Sequence, residues 1–272
     1  MADRNSPIGV FDSGVGGLTV AREIMRQIPD ERIIYFGDTA RLPYGTKSSD
    51  TIIRYTRQNI RFLMAQDVKA IVIACNTATA FALETVEKEL EIPIIGVIHA
   101  GAKTAIDSTQ NGKIGIIGTE GTIRSGVYTK VMKEMKDDIE VIGKACPLLV
   151  PLVEEGLLHD SVTDEIASRY LSELKGKFID TLVLGCTHYP LLRSTVGRLM
   201  GPEVNLVNPA YETALELKQI LGDNQLLCEI KDESQEKYSF YVSDLAEKFT
   251  NFAASILPGQ VKETKQINIE QF

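Results

Sequence analysis

Near-continuous Ile/Val runs, each followed by a helix-length amphipathic stretch, constrain this chain more than any other feature. PIGVF (7–11), RIIYFG (32–37), VKAIVIA (68–74) and IPIIGV (92–97) alternate with segments such as LTVAREIMRQI, a helix expected from Asp50 to about Gln66, and ATAFALETVEKELE. Strands with no polar alternation are buried on both faces. That is the condition of a parallel sheet covered by crossover helices. The pattern restarts at GKIGIIG (112–118) and runs through IEVIGKACP and FIDTLVLGCTH (178–188). Between these last two, DSVTDEIASRYLSELK reads as a helix capped by Ser161 or Thr163. After NPAYETALELKQIL, the segment CEIKDESQEKYSFYVSD reads as two short strands around a charged turn, and LAEKFTNFAASIL as a helix capped by Ser243 or Asp244. This tail is expected to return to the first sheet.

The two halves rhyme. VKAIVIACNTA and FIDTLVLGCTH each carry a β-branched run, a small residue, a cysteine and then Thr-containing polar residues. They stand about one domain length apart. The expected fold is therefore α/β, with two similar parallel-sheet domains related by pseudo-twofold symmetry and the active site in the cleft between them. The first domain would comprise residues 1–97 plus 208–272, and the second 98–207.

Composition narrows the function. With 272 residues, a net charge of −8 and no basic run, the chain lacks the face a nucleic-acid binder needs. Arg54, Arg57 and Arg61 fall at helical spacing and read as a solvated face. No apolar stretch reaches membrane-spanning length, and MADRNSPIGVF carries no secretory apolar region, so a cytoplasmic protein with no membrane partner is expected. The four cysteines, Cys75, Cys146, Cys186 and Cys228, form no C-x-x-C pair, so no metal site is expected and the thiols should be free.

Ligands in a parallel α/β sheet bind beyond the carboxyl ends of the strands. Cys75 and Cys186 both sit at such ends. Helix N-termini there favour anions and are expected to lower a thiol pKa. Two thiols facing one carbon can take a proton from one face and return one to the other, which is the task of a racemase. Asp12, His188 and Glu154 are the ionisable residues placed to assist them. The Gly14–Gly17 run fits no nucleotide loop; it reads as a tight turn offering N–H groups to a carboxylate. Tyr44-Gly45 reads as a loop closing on the site.

Taken together, FDSGVGGLT (11–19), GDTARLPYG (37–45), ACNTATA (74–80), PLVEEG (151–156) and GCTHYPLL (185–192) resemble the bacterial glutamate racemases of the aspartate/glutamate racemase superfamily. The resemblance implies interconversion of L- and D-glutamate without pyridoxal phosphate or any other cofactor, supplying D-glutamate for peptidoglycan. It makes Cys75 and Cys186 the acid/base pair, the first acting on D-glutamate and the second on L-glutamate, with Asp12, His188 and Glu154 assisting. It makes Asp12-Ser13, Tyr44-Gly45, Asn76-Thr77 and Thr187-His188 the substrate-binding pairs. A homodimer is one arrangement it implies. Some members bind a cell-wall precursor through an N-terminal extension; with only a few residues ahead of the first strand, that control is not expected here.

Three rivals are weaker. A cysteine-dependent phosphatase needs an arginine closing its phosphate loop, and the residues in that register are Leu192 and Phe81, with Arg193 one position late. A periplasmic-type binding protein would have no use for two thiols. Aspartate racemase is the nearest, because side-chain length is set by pocket depth.

Overall fold

A computed structural model describes residues 3–229 and 236–272. Strand β1 (Ile8–Asp12), helix α1 (Leu18–Gln27) and β2 (Ile33–Gly37) open the chain. A 3-10 turn at Tyr44–Thr46 leads to α2 (Ser49–Met64), β3 (Ala70–Ile73), α3 (Asn76–Val86) and β4 (Ile94–Gly96). Then follow α4 (Val97–Ser108), β5 (Lys113–Gly118), α5 (Glu120–Ser125), α6 (Val127–Met135), β6 (Glu140–Ala145), α7 (Leu149–Glu154), α8 (Ser161–Lys175) and β7 (Thr181–Gly185). A 3-10 turn at Tyr189–Leu192 precedes α9 (Arg193–Met200), β8 (Asn205–Val207) and α10 (Pro209–Asp223). The tail adds β9 (Tyr238–Val242), α11 (Ala246–Ile256) and β10 (Thr264–Gln266).

These elements build two parallel-sheet α/β domains. One sheet has the order β10-β9-β2-β1-β3-β4, the other β6-β5-β7-β8, and every pairing is parallel. The inner order β2-β1-β3-β4 repeats as β6-β5-β7-β8, so β3 and β7 are equivalent strands. Cys75 follows one and Cys186 the other.

The Ile/Val runs explain the sheets. β1, β2, β3 and β7 are buried at every position. Successive side chains serve opposite faces. In β3 and beyond, Ala70, Val72 and Ala74 join the core under α1, α10 and α11, while Ile71, Ile73 and Cys75 join the core under α2 and α3. Each fully buried Ile, Val or Leu contributes roughly 1.5–3 kcal/mol by leaving water. The tail does return to the first sheet, with β9 pairing β2 from Ile33↔Tyr238 to Gly37↔Val242.

Several local expectations change. α2 runs Ser49–Met64, one residue earlier at its start and two shorter at its end than read, with Ser48 accepting from the Thr51 N–H. Helix α8 is capped by Asp160, whose carboxylate accepts from the Val162 N–H at 2.8 Å. Ser161 is already helical, and the Thr163 hydroxyl donates to the Leu157 carbonyl at 2.6 Å. Neither Ser243 nor Asp244 caps α11: the capping position is Leu245, at φ 53°. Ser243 Oγ instead donates to Asp38, and Asp244 accepts from the Leu245 N–H. Of the two strands read around a charged turn, the second is β9. Most of the turn lies outside the described residues, and Cys228 and Glu229 before it are not strand. The edge strand β10 is a polar triplet with no hydrophobic signal. No helix among the described residues is long and apolar enough to cross a membrane.

Candidate active site

The carboxyl ends of β1, β3, β5 and β7 converge on one cavity between the two domains. Ser13, Pro43, Tyr44, Gly45, Cys75 and Asn76 line it from one side, with Thr77, and Thr119, Val150, Cys186, Thr187 and His188 from the other. Its volume is about 40 Å³, room for roughly three waters. Both thiols and seven of the residues read as substrate-binding meet here. Asp12 and Glu154 stand just behind its wall.

Gly16 lets the domains come this close. A Cβ there would stand 2.3 Å from Thr187 Oγ1 and 2.5 Å from His188 Nδ1, both in the segment after β7. The next turn is pinned by Thr19 Oγ1, which donates to the Thr187 carbonyl at 3.1 Å.

Cys75 caps α3: its sulfur accepts from the Ala78 N–H at 3.5 Å and donates to Ser13 Oγ at 3.7 Å. The helix terminus favours the thiolate, yet the pKa does not fall as the sequence led us to expect. Burial pushes it up to about 12, the Asp12 charge adds to that, and the Ala78 and Ser13 contacts offset only part. Cys75 is therefore a thiol in this closed site.

Asp12 is wholly buried. Its Oδ2 accepts from the Gly14 N–H at 3.0 Å, while Oδ1 has no protein partner. Burial raises its pKa; His188 and the N–H groups of Gly17, Gly14 and Ser13 pull it back down. The glycine turn thus does offer N–H groups to a carboxylate, but to the chain's own Asp12.

Cys186 has a different neighbour. Its sulfur lies 3.7 Å from His188 Nδ1, and His188 Nε2 lies 3.1 Å from Glu154 Oε1. A carboxylate can only accept, so Nε2 carries a proton. Burial works against the imidazolium, but the bonds to Cys186 and Glu154 and the negative charges at Cys186 and Asp12 outweigh it, raising His188 to about 10. A doubly protonated ring beside Cys186 supplies the positive charge a thiolate needs.

Tyr44 lines the cavity, but its hydroxyl is committed elsewhere, donating to Asp38 and accepting from Asn59 Nδ2 at 3.1 Å. Asp38 also holds Arg41 Nε at 2.8 Å and Ser243 Oγ at 2.9 Å, which fixes the Pro43–Gly45 wall against α2 and the tail. Sequence reading missed Asp38, although it follows β2 directly. It also missed Thr119 and Thr122, whose hydroxyls form a triangle with that of Thr77 at 2.8, 3.0 and 3.1 Å. Thr119 follows β5, so the strand-end rule that found the cysteines would have found it. Among the described residues no cluster of His, Cys, Asp and Glu is arranged to hold a metal.

Two matched α/β domains that bring two thiols to one small cavity define the class: a two-domain α/β enzyme with its candidate site where the strand ends of the two sheets face each other. The model of the Asp/Glu/Hydantoin racemase family matches residues 8–215, and the chain belongs to this family of isomerases. It is 48% identical over 263 residues to a glutamate racemase of Geobacter metallireducens, covering 97% of each chain. It is similar to the crystal structure of a glutamate racemase isoform from Bacillus anthracis, with TM-score 0.93, 41% identity, and 97% and 98% of the two chains covered. The glutamate racemase of Francisella tularensis in complex with D-glutamate matches at TM-score 0.92 and 38% identity, over 99% of this chain and 100% of that one.

Proposed function

We propose that this chain interconverts L- and D-glutamate by a two-base mechanism that needs no cofactor. The observation that carries the reading is that Cys75 and Cys186 face one cavity from the ends of equivalent strands in separate domains. The substrate follows from the near full-length relatives, which are glutamate racemases.

In the L-to-D direction, the Cys186 thiolate, paired with the His188 imidazolium, takes the α-proton. The Cys75 thiol delivers a proton to the opposite face and is left as the thiolate. The D-to-L direction starts from that second state, so no proton is lost over a full cycle. Glu154 holds the His188 ring by its far nitrogen. Asp12, behind Cys75, supplies a charge that works against the Cys75 thiolate and so sharpens it as a base. Hydroxyl and amide donors from Ser13, Asn76, Thr77, Thr119 and Thr187 are placed for the two substrate carboxylates.

The cavity is narrow and lies between the domains, taken as 1–97 plus 208–272 and 98–207; in this reading they part for substrate to enter and close around it. Closure excludes water and strengthens every charge interaction inside. In the cytoplasm of a bacterium the product D-glutamate would feed peptidoglycan synthesis.

The direct test is chiral analysis of L-glutamate and L-aspartate after incubation with the pure protein, with and without added pyridoxal phosphate or chelator. Glutamate should racemise at a rate neither addition changes, and aspartate should not. Turnover of aspartate alone would overturn the substrate; turnover of neither would overturn the reading.

A further inference from the structure

We infer that Tyr128 is a positioning residue for this site, fixing the Asn76 side-chain amide so that its N–H groups face a substrate carboxylate. The inference rests on the reading above.

Tyr128 lies on α6, outside the motifs that carry the family resemblance, and is 3% exposed. Its hydroxyl donates to Asn76 Oδ1 at 2.8 Å, across 52 residues of sequence. Asn76 directly follows Cys75, is 4% exposed, and lines the cavity.

A phenol proton needs an acceptor, and among the described residues Asn76 Oδ1 is the one within hydrogen-bond reach. An asparagine amide has one acceptor end and one donor end. With the acceptor end held by Tyr128, the donor end is turned elsewhere, and no described protein group accepts from it. The half-turn alternative would set a carbonyl oxygen against a carboxylate and leave the phenol facing N–H groups. Burial, together with the Cys186 charge, raises the Tyr128 pKa far above its usual value, so the phenol stays a donor throughout the working range.

The same ring reaches the other half-site. A Cβ on Gly185, the residue before Cys186, would stand 3.3 Å from Tyr128 Cε2. One side chain therefore serves the neighbours of both thiols: its hydroxyl bonds the amide next to Cys75, and its ring fills the space that a side chain at Gly185, next to Cys186, would need.

Tyr128→Phe keeps the ring and removes the hydroxyl. A freed amide spends part of its time in the wrong orientation and binds substrate less well, but each thiol keeps its helper. We expect the KM for both glutamate enantiomers to rise about tenfold, the scale of one net hydrogen bond of roughly 1.4 kcal/mol, with kcat within about threefold. In an Asn76→Ala background the same change should leave KM where Asn76→Ala alone puts it, because the effect travels through that amide. A purely structural tyrosine would lower the melting temperature and leave KM unmoved in the single variant, or shift KM equally in both backgrounds; either result overturns the inference. Wild-type protein measured alongside separates the two levels. If it racemises glutamate and Tyr128→Phe has wild-type KM, this inference alone fails. If it is inert on glutamate, the functional reading fails and takes this inference with it.

Discussion

The ends of β3 and β7 occupy the same place in the two repeats of the strand order, yet they hold their cysteines in opposite ways. Register makes the comparison residue by residue. Phe11 pairs with Ile73 in the first sheet and Ile117 with Leu184 in the second, so Asp12 corresponds to Gly118 and Ser13 to Thr119. The first site has a buried carboxylate where the second has a glycine. The second has His188 and Glu154 where the first has none. Cys75 is left beside a negative charge, its pKa near 12. Cys186 is left beside an imidazole raised to about 10. One scaffold thus sets one cysteine beside a carboxylate and the other beside a protonated imidazole, the opposed surroundings that the proposed acid and base roles require. Similar backbones set where the thiols are; a few non-equivalent charges set what surrounds them.

Removing either thiol should have the largest effect. Cys75→Ser and Cys186→Ser should each cut racemisation by about 10³-fold or more, with glutamate still bound. In D₂O the unaltered enzyme should put deuterium chiefly into the product enantiomer. A variant retaining most of its turnover, or equal early labelling of substrate and product, would end the idea of two separate bases.

Replacing the helpers should have a smaller effect and should test their asymmetry. Because the equilibrium constant of racemisation is one, kcat/KM must fall equally in both directions; we expect roughly 10²-fold. The individual kcat values need not fall equally. Asp12→Asn should slow the reaction from D-glutamate more, and His188→Asn the reaction from L-glutamate more. Equal slowing in both variants would dissolve the distinction between the half-sites.

The pH profile sharpens the same point. The His188 proton is held up to about pH 10, so kcat/KM should fall on the alkaline side near that pH, and Glu154→Gln should move the limb to lower pH. For stability the sign is that of a raised pKa. The His188 contribution is complete below the unfolded value of about 6.5 and disappears as pH rises through about 10. A limb indifferent to Glu154 would detach that residue from the imidazole.

The smallest effect is expected far from both thiols. Asp160→Ala should cost about 1 kcal/mol of stability through loss of the α8 cap, read as a lower melting temperature with unchanged kcat/KM. A change in catalysis would mean that the second domain transmits local loosening to its half-site.

Much of this was written in the order of residues. The Ile/Val runs specified parallel strands buried on both faces, and the strand-end rule led from them to Cys75 and Cys186. His188 was legible because it is two positions from its cysteine. The caps of α8 and α11 were not. Several polar residues compete for each end, and the winner depends on which one the chain leaves extended and on what a neighbour such as Asp38 already holds.

By itself, then, the sequence determined the fold class and the positions of the two thiols, because periodicity and strand ends are local properties of the chain. The tertiary structure decided the protonation of Cys75 and of His188, along with the partners of groups that meet from a distance. Glu154 reaches His188 across 34 residues, and Tyr128 reaches Asn76 across 52. The expected lowering of the Cys75 pKa failed for this reason. A helix terminus is visible in the sequence, but burial and the charge of Asp12 exist only once the sheet has been assembled around the sulfur.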